Sequence, residues 1–331
     1  MSHKNIWRPA LLLLTLAVIV ASSLPANAKA AAGANGIRLS PVRTDLTVAP
    51  GQSQTVNITV TNITADSSDL GASINDFTAR DESGQPAIAF AGDPAAVSKH
   101  GLKKYVSAIP NFTLASGQQK NIAVKITMPA NAPGGGYFGA ICIAPAGTLG
   151  DSGRNVYLAG SVCSLIIVTV PGDVTSKLTI ASFDTRRKDD TKSLFTSRKG
   201  VDGVVRFQNS GDIQEQPFGK ITLKNRSGKT LATYEINNTD PRGNVLPDSI
   251  RKFTVPLDKV GSFGIYKLEG NFGYGSNGQL LTASTTFYVI PTAAILGFIA
   301  LVLVVAFIIF VLPRLISRYN QWVIRQARGR R

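Results

Sequence analysis

The sequence feature that most constrains this chain is an uninterrupted apolar run from Pro291 to Leu312, which contains no charged or amide side chain. An α-helix rises about 1.5 Å per residue, so a helix of this length spans the roughly 30 Å hydrocarbon core of a bilayer. We therefore predict a transmembrane helix over residues 291–312. The alternative is a buried core helix of a globular domain.

The charges that follow this run indicate its orientation. Lys and Arg beside a membrane span remain on the cytoplasmic side. We expect residues 313–331 to form a basic cytoplasmic tail, and the residues before Pro291 to lie outside the cell membrane. The basic residues after the run, with no acidic residue among them, are Arg314, Arg318, Arg325, Arg328, Arg330 and Arg331.

Residues 1–28 are typical of a secretory signal peptide. Lys4 and Arg8 precede a short apolar run, and Ala26-Asn27-Ala28 has the small residues of a cleavage site. An uncleaved second anchor is the alternative, but the apolar run is too short to span a bilayer comfortably. We predict a single-pass protein of the cell membrane whose signal peptide is removed.

The formal net charge of +15 overstates how basic the exported part is. All 20 acidic residues lie between residues 29 and 290, whereas the leader and the tail contain only basic ones. The exported part is mildly basic and has no local basic patch, so we predict no nucleic-acid binding. Its charge is compatible with anionic wall polymers or membrane surfaces. The 2 Cys permit one disulfide and exclude a disulfide-dense scaffold.

The exported part has the alternating apolar pattern of β-strands and no helical periodicity. In the run Thr55–Asn62, for example, Val56, Ile58 and Val60 share one face. Many short strands with turn signals between them predict antiparallel sandwiches. We predict an all-β fold of two tandem Ig-like sandwiches, over residues 37–172 and 173–290, followed by the transmembrane helix. The Gly- and Pro-rich residues 80–101 are predicted to be a long loop.

The two predicted sandwiches share three ordered sequence elements. Each contains an alternating strand that ends in Asn, a Leu that opens a turn before a basic residue, and a Gly-x-Tyr before a late strand. The Gly-x-Tyr element resembles the tyrosine corner of Ig-like domains, where the Tyr hydroxyl binds a nearby backbone carbonyl. The pairs are Asn62 and Asn209, Leu114 and Leu246, and Tyr137 and Tyr266.

Longer motifs resemble a known family. SPVRTDLTVAPGQSQTVNITVTN and FTLASGQQKNIAVKITMPANAPGGGYFGAI resemble the first domain of the WxL-interacting surface proteins of Gram-positive bacteria. VVRFQNSGDIQEQPFGKITL, NVLPDSIRKF, GIYKLEGNFGYG and TTFYVIP resemble their second domain and anchor. The resemblance implies peptidoglycan binding by the first domain and binding of a host or partner ligand by the second. The first domain also resembles the Ig-like N-terminal domain of pilus chaperones.

Cys142 and Cys163 are predicted to face each other on successive antiparallel strands. In an antiparallel hairpin, the residue numbers of every opposed pair add up to the same total. If Cys142 and Cys163 are opposed, the centre of the loop lies between Ser152 and Gly153, where turn residues occur. Directly opposed strand residues are close enough for a disulfide, and export provides an oxidising environment. The alternative is a pair of buried free thiols.

The sequence contains no candidate catalytic site. His100 lies in the polar segment SKHGLKK and is predicted to be a solvated loop residue rather than a catalytic base. No Cys/His cluster suits zinc, and Asp66-Ser-Ser-Asp69 lacks the spaced ligands of a calcium loop. The GxGxxG pattern over 273–278 precedes a strand rather than a helix, so it predicts a hairpin turn. We predict no catalytic, cofactor or metal residue, and no enzymatic activity.

We predict that the protein binds peptidoglycan, another wall polymer or a surface protein non-covalently, acting in binding, scaffolding or adhesion. An export-side chaperone that adds a client strand to a sheet edge is the alternative. A hydrolase is a third class, disfavoured because no acid–base cluster is present. Five Asn-x-Ser/Thr sites permit either glycosylation or a chance origin in a Thr-rich β protein. They are Asn57, Asn62, Asn111, Asn225 and Asn237.

Overall fold

The computed structural model describes residues 36–90, 98–146, 160–188 and 190–328, with side chains described up to Trp322. The predicted signal peptide and the centre of the Cys142–Cys163 hairpin loop lie outside these residues. The described chain is mostly β-structure in several antiparallel sheets, followed by one long apolar helical segment, which confirms the predicted fold class.

The described residues of the first sandwich form nine strands in two sheets. One sheet has the order β1-β3-β7, and the other has the order β2-β9-β8-β4-β5, with β6 also paired to β4. The pairing is antiparallel except between β2 and β9, which run parallel. The strands are β1 (Ile37–Ser40), β2 (Arg43–Thr47), β3 (Ser53–Asn62), β4 (Ser68–Ala79), β5 (Pro86–Ala89), β6 (Phe112–Leu114), β7 (Gln119–Thr127), β8 (Gly135–Pro145) and β9 (Val162–Val170).

The core of the first sandwich lies between these two sheets. The alternating pattern of β3 directs Val56, Ile58 and Val60 inward, where Ile58 and Val60 are fully buried. β7 alternates in the same way and contributes Val124 and Ile126. The polar residues of both strands are on the other face, as expected for strands buried on one side only.

In the second sandwich the described residues also form nine strands in two sheets, with orders β11-β10-β13-β16 and β12-β18-β17-β14-β15. The last four residues of the GxGxxG pattern, 275–278, connect β17 to β18, so the predicted hairpin turn is present. The strands are β10 (Leu178–Arg187), β11 (Asp190–Thr191), β12 (Leu194–Phe195), β13 (Asp202–Asn209), β14 (Phe218–Asn225), β15 (Thr230–Ile236), β16 (Ser249–Pro256), β17 (Gly264–Tyr274) and β18 (Gln279–Val289).

The same buried Asn motif closes one end of each sandwich. The Asn62 amide donates to the carbonyls of Asp66, at 2.8 Å, and Leu114, at 3.0 Å. The Asn209 amide donates to the carbonyls of Ile213, at 2.7 Å, and Val245, at 2.9 Å. The structural counterpart of Leu114 is therefore Val245. The sequence match of Leu114 to Leu246 is wrong by one residue, because Leu246 packs outside the core of the second sandwich.

The two Tyr residues of the repeated Gly-x-Tyr element have the contacts of a tyrosine corner. The Tyr137 hydroxyl donates to the Pro133 carbonyl at 2.9 Å, and the Tyr266 hydroxyl donates to the Phe263 carbonyl at 3.2 Å. Each bond ties the strand to the loop that enters it, and both rings are buried. The corresponding contacts support a repeated sandwich architecture.

The prediction of one long loop over residues 80–101 is wrong in part. Residues 86–89 form β5, which pairs with the end of β4 from Asp76 to Ala79. The segment Pro86–Ala89 is only four residues long and contains Pro and two Ala, so it lacks the β-branched run that would mark a strand. The pairing depends on β4 extending past Phe77, which the sequence pattern alone does not reveal.

A helical segment follows β18 almost directly. It consists of α1 (Thr292–Ala306), a π-helical turn (Phe307–Val311) and α2 (Leu312–Arg328). The π-turn precedes Pro313, which has no N–H to donate to the preceding turn. An apolar window in Thr292–Trp322 has a mean hydropathy of 3.4 and is 0% buried by the rest of the described chain. By length and composition this segment is a candidate membrane span.

Candidate functional site

Strand β8 is buried on both of its faces, although a sandwich accounts for the burial of only one. Tyr137, Ile141 and Ile143 point into the core between the sheets. Phe138 and Cys142 point to the opposite face, where they belong to a second apolar cluster. Something other than the partner sheet therefore covers this outer face.

The outer cluster is covered in part by the second sandwich. Phe77 and Phe138 form an edge-to-face pair with centroids 5.8 Å apart, a favourable aromatic geometry. Ile88 of β5 and Leu246 of the second sandwich pack against this cluster. Residues from both sandwiches thus form one apolar surface at their junction.

A narrow cleft of about 70 Å³ opens beside this apolar surface. We call it the junction cleft. Its walls come from β2, from the β4–β5 hairpin, from β9, and from the start of β16 together with the segment that leads into it. The lining residues are Arg43, Phe77, Ala79, Asp81, Gly84, Gln85, Pro86, Leu165, Ile167, Asn244, Leu246, Ser249, Ile250 and Arg251.

Two arginines from different sandwiches line the junction cleft. Arg43 is paired with Asp45 through bonds of 2.9 and 2.5 Å, and it also donates to the Arg242 carbonyl at 2.8 Å. Arg251 donates to the Asn244 carbonyl at 2.7 Å and lies over the Phe253 ring, 5.1 Å from its centroid. No ion pair of Arg251 with a described acidic residue is present.

The guanidinium of Arg251 is an incompletely satisfied charge. Its Nε is buried and has no hydrogen-bond partner among the described residues. Burial, and then the positive charge of Arg43, lower the pKa of Arg251 from its usual range. Buried charges are ordinarily paired, so the cleft favours an anionic group next to Arg251. A carboxylate matches the forked donor geometry of a guanidinium.

Gly84 allows the β4–β5 hairpin to approach Arg251. A Cβ at this position would lie 2.2 Å from the Arg251 Cζ atom, and Gly84 also has φ of +80°. Gly is the residue that adopts this conformation without steric cost. The tip of the hairpin therefore forms a wall of the cleft directly against the guanidinium.

Polar contacts connect the hairpin to the second sandwich. Glu82 pairs with Arg206 at 2.6 Å, and its carbonyl accepts a bond of 2.7 Å from the Lys252 amide. Farther along the junction, Gln214 donates to the Thr169 hydroxyl at 2.8 Å. These contacts fix the hairpin, and with it the Asp81 and Gly84 wall of the cleft, against β13 and β16.

Cys142 and Cys163 lie opposite each other on β8 and β9, in the predicted register. Their Cα atoms are 4.0 Å apart and their sulfurs are bonded. Cys142 is fully buried within the outer apolar cluster, beside the junction rather than in the cleft lining. Formation of this bond in the exported protein stays a prediction.

His100 is not the solvated loop residue that the sequence suggested. Its ring Nδ1 lies 2.7 Å from the Gly136 carbonyl, and its own carbonyl accepts a 2.8 Å bond from the Phe138 amide. The Nε2 atom is buried, and the ring lies 5.9 Å from that of Phe138. His100 therefore fixes its loop onto β8. Within the described residues, no group of three or more His, Cys, Asp or Glu could hold a metal ion.

Sequence reasoning did not identify Arg43 or Arg251 as candidate site residues. Each lies in or beside a strand with mixed polar neighbours, which is typical of ordinary surface arginine. Only the docking of the two sandwiches brings them together. The one available signal was the long loop predicted over residues 80–101, because loops often carry binding residues, and the β4–β5 hairpin within this range contributes Gly84, Gln85 and Pro86 to the cleft.

Comparisons with known proteins give one family match. Residues 44–144 match the family described as WxL Interacting Protein, peptidoglycan binding domain. That range runs from β2 to β8, lacking only the first residue of β2 and the last residue of β8, and it includes the β4–β5 hairpin. No curated protein sequence matches the chain.

Several solved chaperone structures are similar at low scores. The class 5 fimbriae chaperone CfaA is 11% identical, covers 77% of this chain and 100% of its own, and has a TM-score of 0.37. The E. coli chaperone DraB is 15% identical, with coverages of 77% and 97% and a TM-score of 0.32. The Pseudomonas aeruginosa CupB2 chaperone is 11% identical, with coverages of 75% and 98% and a TM-score of 0.32. These scores are too low to support a functional argument, whereas the family match confirms that this chain resembles the WxL-interacting proteins over residues 44–144.

Proposed function

We propose that this protein is a membrane-anchored surface protein that binds peptidoglycan non-covalently and has no enzymatic activity. The observation that carries the proposal is the match of residues 44–144 to a domain described as peptidoglycan binding. The candidate span at Thr292–Trp322 supports attachment to the cell membrane. In this proposal the sandwiches face the wall, the C-terminal tail faces the cytoplasm, and a cleavable signal peptide directs export.

The junction cleft is the proposed contact site for the polymer. Peptidoglycan carries carboxylates on its peptide stems, and Arg251 has a buried Nε without a partner beside the cationic Arg43. A carboxylate that enters the cleft would supply the missing acceptor. The apolar walls at Phe77, Leu165 and Leu246 would exclude water from this contact and strengthen it.

A surface protein remains part of this proposal as a second type of ligand, to which the protein would adhere. No specific contact among the described residues favours the alternative function, a chaperone that binds its client by strand addition. Strand addition requires a free sheet edge. The two most apolar strands of the first sandwich lack one, because β8 lies between β4 and β9, and β9 is paired with β2 from Leu165 to Thr169. The edges of this sheet are formed by β2 and β5.

Co-sedimentation with purified insoluble wall polymer tests the proposal. The full chain in detergent is mixed with the polymer, and the bound fraction is measured for the parent protein and for Arg251→Gln. We expect Arg251→Gln to weaken binding on the order of tenfold, because a hydrogen bond to a charged group contributes about 1.5–3 kcal/mol. Asp81→Asn should strengthen binding, because it removes a negative charge from the cleft wall.

The matched control is Arg38→Gln, which removes the same charge from an exposed position on β1 outside the cleft. Its binding should equal that of the parent protein. The melting temperature of each variant verifies folding. If Arg251→Gln and Arg38→Gln bind equally, the cleft is not the site, and if the parent protein does not sediment with the polymer, the proposed function is wrong.

A further inference from the structure

A second, larger groove lies at the end of the second sandwich where β18 leaves it. Its volume is about 970 Å³, which is in the range of ligand-binding cavities. We call it the terminal groove. Its walls come from the β14–β15 turn, the segment between β16 and β17, and the last residues of β18. Phe263 is 70% exposed and Tyr288 is 42% exposed, so the groove presents two aromatic side chains to the surroundings.

The chain itself places this groove next to the candidate membrane span. Ile290 lines the groove, and α1 begins at Thr292. A residue contributes at most about 3.6 Å of extended chain, so the groove cannot be more than a few ångströms of backbone away from the apolar helix. If α1 enters a bilayer, the groove must lie at the membrane surface.

The charge and the composition of the groove fit this location. Two basic residues, Arg226 and Lys259, line it, and the lining that the structure describes contains no acidic residue. The neighbouring Asp258 pairs with Lys259 at 3.3 Å, but both side chains are more than half exposed, so the pair is weak. Exposed aromatics together with basic side chains are typical of protein surfaces at the boundary between water and lipid headgroups.

We propose that the terminal groove binds anionic phospholipid of the outer leaflet. Phe263 and Tyr288 contact the acyl chains and the glycerol region, while Arg226 and Lys259 contact the phosphate. This contact holds the second sandwich against the bilayer instead of leaving it on a free tether. The inference rests on the proposed membrane anchoring, but it does not depend on peptidoglycan binding.

Photocrosslinking in lipid nanodiscs tests this inference with the full chain. The photoreactive amino acid p-benzoylphenylalanine replaces Phe263 in one protein and Leu280 in a matched control. Leu280 is 79% exposed but lies at the opposite end of β18, about 25 Å from Tyr288 at the usual rise of a strand. We expect lipid adducts at position 263 and none at position 280.

A second arm distinguishes anionic phospholipid from lipid in general. Nanodiscs of phosphatidylcholine alone are compared with nanodiscs that also contain phosphatidylglycerol. Phosphatidylglycerol should be enriched in the adducts at position 263. Arg226→Gln and Lys259→Gln should each reduce that enrichment about fivefold, which corresponds to ~1 kcal/mol for each basic residue near an anionic surface.

The outcomes separate this inference from the anchoring itself. If the chain incorporates into nanodiscs but positions 263 and 280 give equal adducts or none, the groove does not bind lipid and the inference is wrong. If adducts form at 263 without enrichment of phosphatidylglycerol, the proposed anionic specificity is wrong. If the chain does not incorporate into nanodiscs, the proposed anchoring fails, and the inference fails with it.

Discussion

At the scale of single residues, the buried Asn of each sandwich forms hydrogen bonds with loop backbone groups that have no neighbouring strand to pair with. Asn62 and Asn209 are both fully buried at the end of a strand, where the chain turns away from the sheet. The Asn62 Oδ1 accepts from the Thr64 amide at 2.9 Å, and the Asn209 Oδ1 accepts from the Gly211 amide at 2.9 Å. Since buried backbone groups are costly to leave unpaired, each Asn stabilises the loop it binds.

We expect Asn62→Ala to lower the free energy of unfolding by about 2–4 kcal/mol, because it leaves several buried backbone groups without partners. Asn57→Ala is the matched control. Asn57 is on the same strand and in the same type of Asn-x-Thr site, but its side chain is exposed, so the change should be within about 0.5 kcal/mol. Chemical denaturation followed by circular dichroism measures both, and equal effects of the two variants would contradict this role of Asn62.

The same contacts explain one of the five Asn-x-Ser/Thr sites. The Thr64 hydroxyl lies 2.6 Å from the Asn62 Oδ1, and the Asn62 amide nitrogen is bound and buried. The motif at Asn62 therefore has a structural function, and the folded protein does not present its nitrogen for modification.

Glu215 is a buried carboxyl whose environment favours the protonated form. It is 3% exposed and accepts a 2.5 Å bond from the Ser176 hydroxyl. Burial raises the pKa of Glu215 above its usual 4.5, and the bonds from Ser176 and the Gly275 amide oppose this increase. The folded state then binds more protons than the unfolded state, so this contribution to stability is complete below pH 4.5 and is lost as the pH rises through the folded-state pKa.

Glu215→Gln should remove this pH dependence. The melting temperature of the variant relative to the parent protein should increase as the pH rises from 4 to 8. Glu269→Gln is the control with the opposite sign, because bonds from Lys224 and Lys267 lower the pKa of Glu269. Its relative melting temperature should decrease as the pH rises. Thermal denaturation at several pH values measures both, and parallel curves for Glu215→Gln and the parent protein would refute the assignment.

At the scale of elements, the sequence predicted strands where one face is buried and missed those that depend on tertiary pairing. The alternation in β3 and β7 was sufficient because each strand buries one face. β5, β11 and β12 contain four residues or fewer, so a pattern of period two cannot be recognised in them. The junction cleft was not predictable for a related reason, since Arg43 and Arg251 meet only after two sandwiches dock.

The pairing of β8 with β9 gives a prediction at this scale. Cys142 and Cys163 are opposed and separated by 21 residues, so a disulfide closes a loop whose entropy contributes about 3 kcal/mol in the chain-entropy model. We expect the exported protein to have no free thiol and to lose about that much stability when Cys142→Ala and Cys163→Ala are combined.

Mass spectrometry of the alkylated, non-reduced protein measures the thiols directly. Detection of a linked peptide pair would support the disulfide. Two alkylated cysteines without a linked pair would contradict it, and the pair would then be two buried apolar side chains within the outer cluster beside Phe138.

At the scale of the whole molecule, apolar and charged segments follow one another in the order expected of the proposed membrane anchor. The apolar α1 is followed by α2, where Arg314 donates to the Phe310 carbonyl and Tyr319 lies 6.1 Å from Trp322. Aromatic and basic residues at the end of an apolar span are typical of a membrane–water interface. The terminal groove has similar chemistry at the other end of the candidate span, with Phe263 and Lys259.

This arrangement predicts which parts of the protein a protease can reach. One epitope is inserted at the exposed β17–β18 turn between Ser276 and Asn277, and a second is attached after Arg331. When protease is added to cells whose wall has been removed, the first epitope should be lost and the second should remain on a short protected fragment. The arginines of the tail favour this orientation because basic residues beside a span remain in the cytoplasm.

Permeabilised cells are the control, and there both epitopes should be lost. A variant in which Arg314, Arg318 and Arg325 are replaced by Gln tests the physical cause, because it removes half of the basic residues of the tail while retaining the apolar span. We expect a mixed orientation in this variant, with part of the C-terminal epitope becoming sensitive in intact cells. Loss of the C-terminal epitope and protection of the turn epitope in the parent protein would show the reverse orientation, and the sandwiches would then have no access to the wall.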